Sequence, residues 1–187
     1  MNYELKELVD AMCEAIETTD KTIPQLNLDG CGDAARMNIA QFMMYLSASD
    51  GEIKWEEAEA ISFYCGINIT PTTLGQFVRE NNIYSTEFEN TVPIALSLLV
   101  AAANALNRPE VAEGFVETYK EIGKQLIISD NEVNDTEVSD YNIYINMLER
   151  YLDENLDSRK NATSGFVKTG SSVSAPTKSS VAAPKKG

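Results

Sequence analysis

The stretch "SASDGEIKWEEAEA", residues 47–60, ends one predicted helix and begins the next. Gly51 suits the left-handed backbone conformation that often follows a helix C-terminus. Glu56 and Glu57 then place negative charge at the positive end of the next helix dipole. The stretch therefore predicts a tight turn between two helices, which we call the first corner (residues 47–57).

The same pattern recurs 80 residues later in the chain. "SDGEIKWEEAEAISFY" (49–64) aligns without a gap on "SDNEVNDTEVSDYNIY" (129–144). The alignment pairs Asp50 with Asp130, Gly51 with Asn131, Glu52 with Glu132, Ile53 with Val133 and Glu57 with Glu137. Glycine and asparagine are the residues that best tolerate a left-handed backbone. We therefore predict an internal repeat, with an equivalent second corner (residues 127–137).

Apolar periodicity and capping signals predict an all-α fold with almost no strand signal. The predicted helices cover about residues 3–18, 33–49, 55–65, 71–80, 85–106 with a break near Pro93, 109–128 and 135–156. Residues 20–33 between the first two helices are a predicted loop. The apolar stretch 94–106 is shorter than the roughly 20 residues that span a bilayer, so it predicts a buried core helix. We expect residues 1–157 to form a compact bundle of about seven helices.

The last part of the chain has a different composition. Residues 158–187 are rich in Ser, Thr, Ala, Pro and Lys, with six basic and no acidic residues. Such a segment buries too little apolar surface to offset the entropy of ordering it, which predicts a disordered basic tail or linker. Residues 1–157 keep nine basic and all 29 acidic residues, a net charge near −20. This charge favours cations and basic or membrane-associated protein partners, and argues against nucleic acid and against direct membrane insertion.

The chain lacks residues that catalysis, transition-metal binding and nucleotide binding commonly require. The chain has no histidine, which removes the usual general base and the commonest transition-metal ligand. Cys13, Cys31 and Cys65 form no CxxC pair and are predicted to be core thiols. No phosphate-binding glycine motif is present, so no nucleotide or organic cofactor is expected. We predict a non-enzymatic protein, and the lack of a signal sequence in "MNYELKELVD" makes the cytoplasm the expected location.

The corner carboxylates allow two interpretations. In the first, they only shape the backbone: Asp50 forms an Asx turn, Asn134 and Glu137 form a capping box, and apolar staples pair Ile53 with Ala58 and Val133 with Val138. In the second, they bind a divalent cation. Carboxylates after a helix C-terminus are disfavoured by about 0.3–1 kcal/mol unless something compensates, and Ca²⁺ and Mg²⁺ prefer oxygen ligands. The candidate ligands are Asp50, Glu52, Glu56, Glu57, Asp130, Glu132 and Glu137. Neither corner fits an EF-hand loop.

At these residues the chain resembles the TerB family of tellurite-resistance proteins, whose fold is also that of the DjlA co-chaperone N-terminal domain. The family motif is a helix ending in Ala-Asp-Gly, one variable residue, an aliphatic residue, and acidic residues that open the next helix. "SDGEIKWEE" matches it with Ser49 in place of alanine, whereas "SDNEVNDTE" departs from it at Asn131 and Thr136. The resemblance covers roughly residues 3–156. It implies an all-helical fold, an acidic surface that binds a divalent metal, and a role in bacterial stress-response complexes.

These observations favour an interaction module of a tellurite-resistance-type complex, with an acidic and Ca²⁺-binding surface. An alternative is a regulatory or adaptor domain that the tail tethers to a larger machine such as an ATPase or a chaperone. A carboxylate-based metal hydrolase is the third hypothesis. Trp55 is expected to be half-buried against the preceding helix, with an exposed partner anchor as the alternative. Tyr141, Tyr144 and Tyr151 recur at helical spacing and are predicted to face the core.

Overall fold

The computed structural model describes residues 1–19, 30–129 and 133–160. These ranges contain eight helices and no strand, which confirms the all-α prediction. The helices are α1 (Tyr3–Thr19), α2 (Cys31–Ser47), α3 (Trp55–Cys65), α4 (Pro71–Glu80), α5 (Thr86–Glu89), α6 (Ile94–Leu106), α7 (Glu110–Ile127) and α8 (Asp135–Asn155). Most of the predicted first loop, the central residues of the second corner and residues 161–187 lie outside the described ranges.

Local capping chemistry explains where several helices begin and end. The Thr70 hydroxyl accepts a hydrogen bond from the backbone N–H of Thr73 at 3.3 Å, and Pro71 occupies the first position of α4. Gly66 ends α3 in the predicted left-handed conformation, at φ +68°. Pro93 precedes α6 and separates it from the short α5. These boundaries agree with the sequence prediction.

The predicted bounds of α2 were wrong by two residues at each end. The helix begins at Cys31, not Asp33, after Gly30 in the left-handed conformation at φ +74°. It ends at Ser47, not Ser49, because the next backbone hydrogen bonds span three residues instead of the four of an α-helix. The Ser49 N–H donates to the Leu46 carbonyl at 3.0 Å.

Helix α2 lies at the centre of the bundle and packs against α1, α3, α6, α7 and α8. Its buried side chains include Phe42 and Tyr45. The ring centroid of Phe42 lies 4.8 Å from that of Tyr144 and 5.1 Å from that of Tyr119. Aromatic contacts of this kind add to the apolar burial that holds the three helices together. The core position predicted for Tyr144 is confirmed.

Residues 86–106 are long and apolar enough to cross a membrane when judged by length and composition alone. In the fold this stretch is divided at residues 90–93 into α5 and α6. Leu96, Leu99 and Val100 of α6 are buried among the other helices of the bundle. The prediction that residues 94–106 form a core helix is confirmed.

The three cysteines are buried thiols that form no disulfide, and their predicted core position is confirmed. The Cys65 thiol lies 3.9 Å from the sulfur of Met43. Burial raises the pKa of Cys65 to about 12, because the low-dielectric interior disfavours the thiolate. Its burial and its raised pKa both disfavour the reactive thiolate form.

The predicted tail begins too early in the sequence. Residues 157–160 form a further helical turn after α8. Within it the Arg159 guanidinium contacts Glu149 at 2.6 Å, and Glu113 and Asp153 at 3.1 Å each. Residues 158–160 therefore belong to the helical bundle, because the carboxylates on α7 and α8 bind this one cation.

Candidate functional site

The first corner is a tight turn built on Gly51. Its φ of +82° is the left-handed value predicted from the sequence, and its N–H donates to the Ala48 carbonyl at 3.1 Å. The Asp50 carboxylate accepts a hydrogen bond from the Glu52 N–H at 2.8 Å. This contact is the Asx turn of the first interpretation.

The four acidic candidates of the first corner have different environments. Asp50 accepts a hydrogen bond from the backbone of its own turn. Glu57 is 4% exposed and accepts a hydrogen bond from the Lys54 N–H at 2.7 Å. That second bond is the half of a capping box that the glutamate supplies. Glu52 and Glu56 are exposed to solvent. Among the residues that the structure describes, no three His, Cys, Asp or Glu side chains are close enough together to hold a metal ion.

The second corner is described only on either side of its centre. Asp130 and Glu132 lie outside the described residues, so the predicted cation site shared by both corners stays a prediction. Asn134 caps α8 by accepting from the Thr136 N–H at 2.8 Å, one position earlier than the predicted capping box requires. Val133 is 64% exposed, so its predicted staple with Val138 is not a buried contact.

The helices that follow the two corners repeat one pattern of burial. Glu57 and its aligned residue Glu137 are 4% and 6% exposed. Seven residues further on, Tyr64 and Tyr144 are 1% and 2% exposed. The sequence repeat between residues 49–64 and 129–144 thus corresponds to two helices that present equivalent faces to the core.

The described parts of the two corners lie close together. Glu56 and Glu59 on α3 border a groove of about 340 Å³ whose other side includes Gln125, Ile128 and Ser129, immediately before Asp130. We call this the acidic groove. Both acidic residues that border it belong to α3, so an acidic face shared by the two corners stays a prediction. Glu59 was not among the candidate ligands, although its spacing of three from Glu56 places both on one helix face.

Tyr84 connects the first corner to α8. Its hydroxyl lies 3.1 Å from a carboxylate oxygen of Asp140 and 3.3 Å from the carbonyl oxygen of Ser49. Burial raises the pKa of Asp140, and nearby Glu89 raises it further, whereas the hydrogen bond from Tyr84 opposes the increase. The sequence carried no signal for this contact, because Tyr84 lies in a loop outside any periodic pattern.

Trp55 does not pack as predicted. It is the first residue of α3 and 63% of it is exposed, whereas we expected it to be half-buried against the preceding helix. Exposed Glu52 and Glu56 flank it in the sequence. The first corner thus presents a large aromatic ring bordered by carboxylates.

No family model matches the chain, and no curated protein and no solved structure shows significant similarity to it. The resemblance to the TerB family therefore rests on the corner motif and on the all-α prediction made from the sequence.

Proposed function

We propose that the chain is a non-enzymatic protein-interaction module and that its first corner binds a basic protein partner. The observation that supports this most directly is the exposure of Trp55, at 63%, between the exposed carboxylates of Glu52 and Glu56. Tryptophan is enriched among the residues that dominate binding energies at protein interfaces. The charge of residues 1–157, near −20, makes a basic partner the complementary one.

The chemistry of the first corner favours binding over catalysis. Asp50 and Glu57 each accept a hydrogen bond from the backbone of the corner itself. Metal-assisted hydrolysis needs an open coordination position in a shaped site, whereas Glu52 and Glu56 point into solvent. The chain also has no histidine to act as a base near neutral pH.

The TerB-like motif "SDGEIKWEE" supports a more specific role for this module. We assign it to a bacterial, cytoplasmic stress-response complex of the tellurite-resistance type. A divalent cation such as Ca²⁺ would bind carboxylates of both corners, with Asp50 and Glu52 among its ligands. By neutralising part of the acidic face, the bound cation would also change which partner the face prefers.

A quantitative pull-down from bacterial lysate tests the role of the first corner. Trp55→Ala should lose the retained partner, because truncating an interface tryptophan of this kind costs about 2 kcal/mol or more, roughly 30-fold in affinity. Ile94→Ala is the matched control, since Ile94 is similarly exposed, at 61%, but begins α6 outside both corners. Equal retention by the two variants would contradict the proposal.

The cation is tested on the same proteins by thermal unfolding with and without Ca²⁺. A ligand that binds only the folded chain raises Tm by mass action. Asp50→Asn combined with Glu52→Gln should abolish most of that rise, whereas Glu7→Gln with Glu14→Gln removes the same charge from α1 and should preserve it. If both double variants respond alike, or if salt of matched ionic strength produces the same shift, the corner carboxylates do not bind the ion.

A further inference from the structure

An apolar groove of about 350 Å³ lies between α1 and α7 on the surface of the bundle. Leu99 of α6 also borders it. The other lining residues are Leu8, Ala11, Met12, Ala15 and Ile16 of α1, and Val111, Gly114, Phe115 and Thr118 of α7. We call this the docking groove. It shares no lining residue with the acidic groove or with the first corner, so it is a separate surface.

Gly114 keeps the docking groove open, and the packing of the described residues does not require this glycine. Helix α7 contains a second glycine, Gly123, where an added Cβ would lie 2.6 Å from the ring of Tyr141 and 3.1 Å from Phe42. At Gly114 an added Cβ would have no atom within 4 Å. A glycine inside a helix costs roughly 0.5–1 kcal/mol relative to alanine. Internal packing explains Gly123, whereas the open space at Gly114 is available to another molecule.

The shape of the docking groove fits a third helix. It runs between two neighbouring helices, and ridges of side chains on one helix pack into such grooves between others. Small residues on both walls, Ala11 and Ala15 on α1 and Gly114 on α7, allow a close approach of the helix backbone. Leu8 is 49% exposed, and the flexible Met12 can adapt to apolar side chains of the bound helix.

The charged side chains at the rim of the docking groove indicate which sign of charge the bound helix carries. Glu4, Glu7 and Glu14 are exposed on α1, and within the described residues none of them forms an ion pair. Glu7 and Glu14 lie one helical turn on either side of Ala11, so they face the same edge of the groove. On the opposite wall Glu117 is already paired with Lys120, at 2.6 Å. The free charge at the rim is therefore negative and lies on the α1 side.

We propose that the docking groove binds an amphipathic helix of a partner protein, with an apolar face toward Ala11 and Gly114 and Lys or Arg residues along the α1 edge. A second copy of this chain fits less well, because it would bring its own acidic surface against Glu7 and Glu14. The apolar face would supply the binding energy, and the basic edge would set the orientation.

Fluorescence anisotropy of a labelled 18-residue helix made of leucine and lysine tests this on the full chain. A scrambled peptide of the same composition controls for general attraction to an acidic protein. Gly114→Leu fills the groove and should weaken binding by roughly tenfold or more, which corresponds to about 1.4 kcal/mol. Ala101→Leu adds the same side chain at an exposed position of α6 outside the groove and should bind like the parent.

Two further variants separate the shape of the groove from its charge. Gly114→Ala should weaken binding while raising Tm, a combination that general destabilisation cannot produce. Glu7→Gln with Glu14→Gln should weaken binding at low salt and reduce its salt dependence. Equal affinity of parent and Gly114→Leu, or of the ordered and scrambled peptides, would overturn the proposal. The proposal would also be overturned if the parent failed to bind the peptide, as expected if its own chain fills the groove. It would likewise be overturned if the parent formed a dimer that Gly114→Leu dissociates.

Discussion

The same substitution at two glycines of α7 should have opposite effects on stability. Gly123→Ala places a Cβ 2.6 and 2.7 Å from two ring carbons of Tyr141 and 3.1 Å from the ring of Phe42. Tyr141 is held in place by a hydrogen bond from its hydroxyl to the Lys120 carbonyl, at 3.3 Å, and Phe42 is fully buried. Neither ring can move away without disturbing the core. Gly114→Ala adds a methyl group that meets no other atom within 4 Å.

The expected changes in the free energy of unfolding combine a gain in helix propensity with a cost of overpacking. Both variants gain helix propensity, worth about 0.8–1 kcal/mol for Gly to Ala. Gly123→Ala also overpacks the core, which typically costs about 1–3 kcal/mol. Because the propensity term is common to both variants, their difference in unfolding free energy isolates the packing cost of about 1–3 kcal/mol. Gly114→Ala should be the more stable variant and should exceed the parent.

Thermal and denaturant unfolding of the two variants and the parent measure this difference. For a chain of this size each 1 kcal/mol shifts Tm by about 2–4 °C, so the variants should differ by about 2–12 °C. The double variant Gly123→Ala with Tyr141→Ala should recover part of the loss relative to additivity, because the shortened side chain leaves room for the methyl group. Equal Tm values for the two alanine variants, or a more stable Gly123→Ala, would refute the packing argument.

Two further predictions concern charged groups. Arg159→Gln should lower the free energy of unfolding by roughly 1–2 kcal/mol at low salt, since each of its three part-exposed ion pairs is worth about 0.2–1 kcal/mol. Arg150→Gln, at an exposed position, is the control, and equal Tm values for the two variants would contradict the anchoring role of Arg159. The raised pKa of Asp140 means that its contribution to stability is fully present below pH 3.8 and is lost as pH rises through that pKa. Asp140→Asn should therefore have a higher Tm than the parent at pH 7, and this difference in Tm should become smaller in acid. Thermal unfolding at a series of pH values measures the difference.

Most helix boundaries followed from the sequence because their causes are local. Thr70 with Pro71 and Gly66 each act within a turn or two of the backbone they shape. The repeat between residues 49–64 and 129–144 also predicted equivalent helices, and Glu57 with Glu137 confirms the equivalence by similar burial. The Asx turn at Asp50 was one of two interpretations that the sequence left open, and the structure contains it.

The sequence prediction failed where distant segments meet. The spacing of apolar residues indicates which face of α3 is buried, but it did not decide between the half-buried and the exposed position of Trp55, and the preferred half-buried position was wrong. Composition assigned Arg159 to a disordered tail, because its three carboxylate partners lie 6 to 46 residues away in the sequence. Neither error concerns a local preference. Both arise from contacts that form only when the helices pack.

By itself, the sequence determined that this chain is an acidic all-α protein with a repeated sequence motif and no histidine. Charge and residue content depend on composition alone, and helices depend on apolar periodicity and on caps that act locally. Only the tertiary structure decided which surfaces those helices expose. The acidic groove joins α3 to the end of α7, and the docking groove joins α1 to α7, across separations of some 65 to 110 residues. The shape of a surface between two helices depends on their relative position, which is set by the packing of the whole core rather than by the residues of either helix alone.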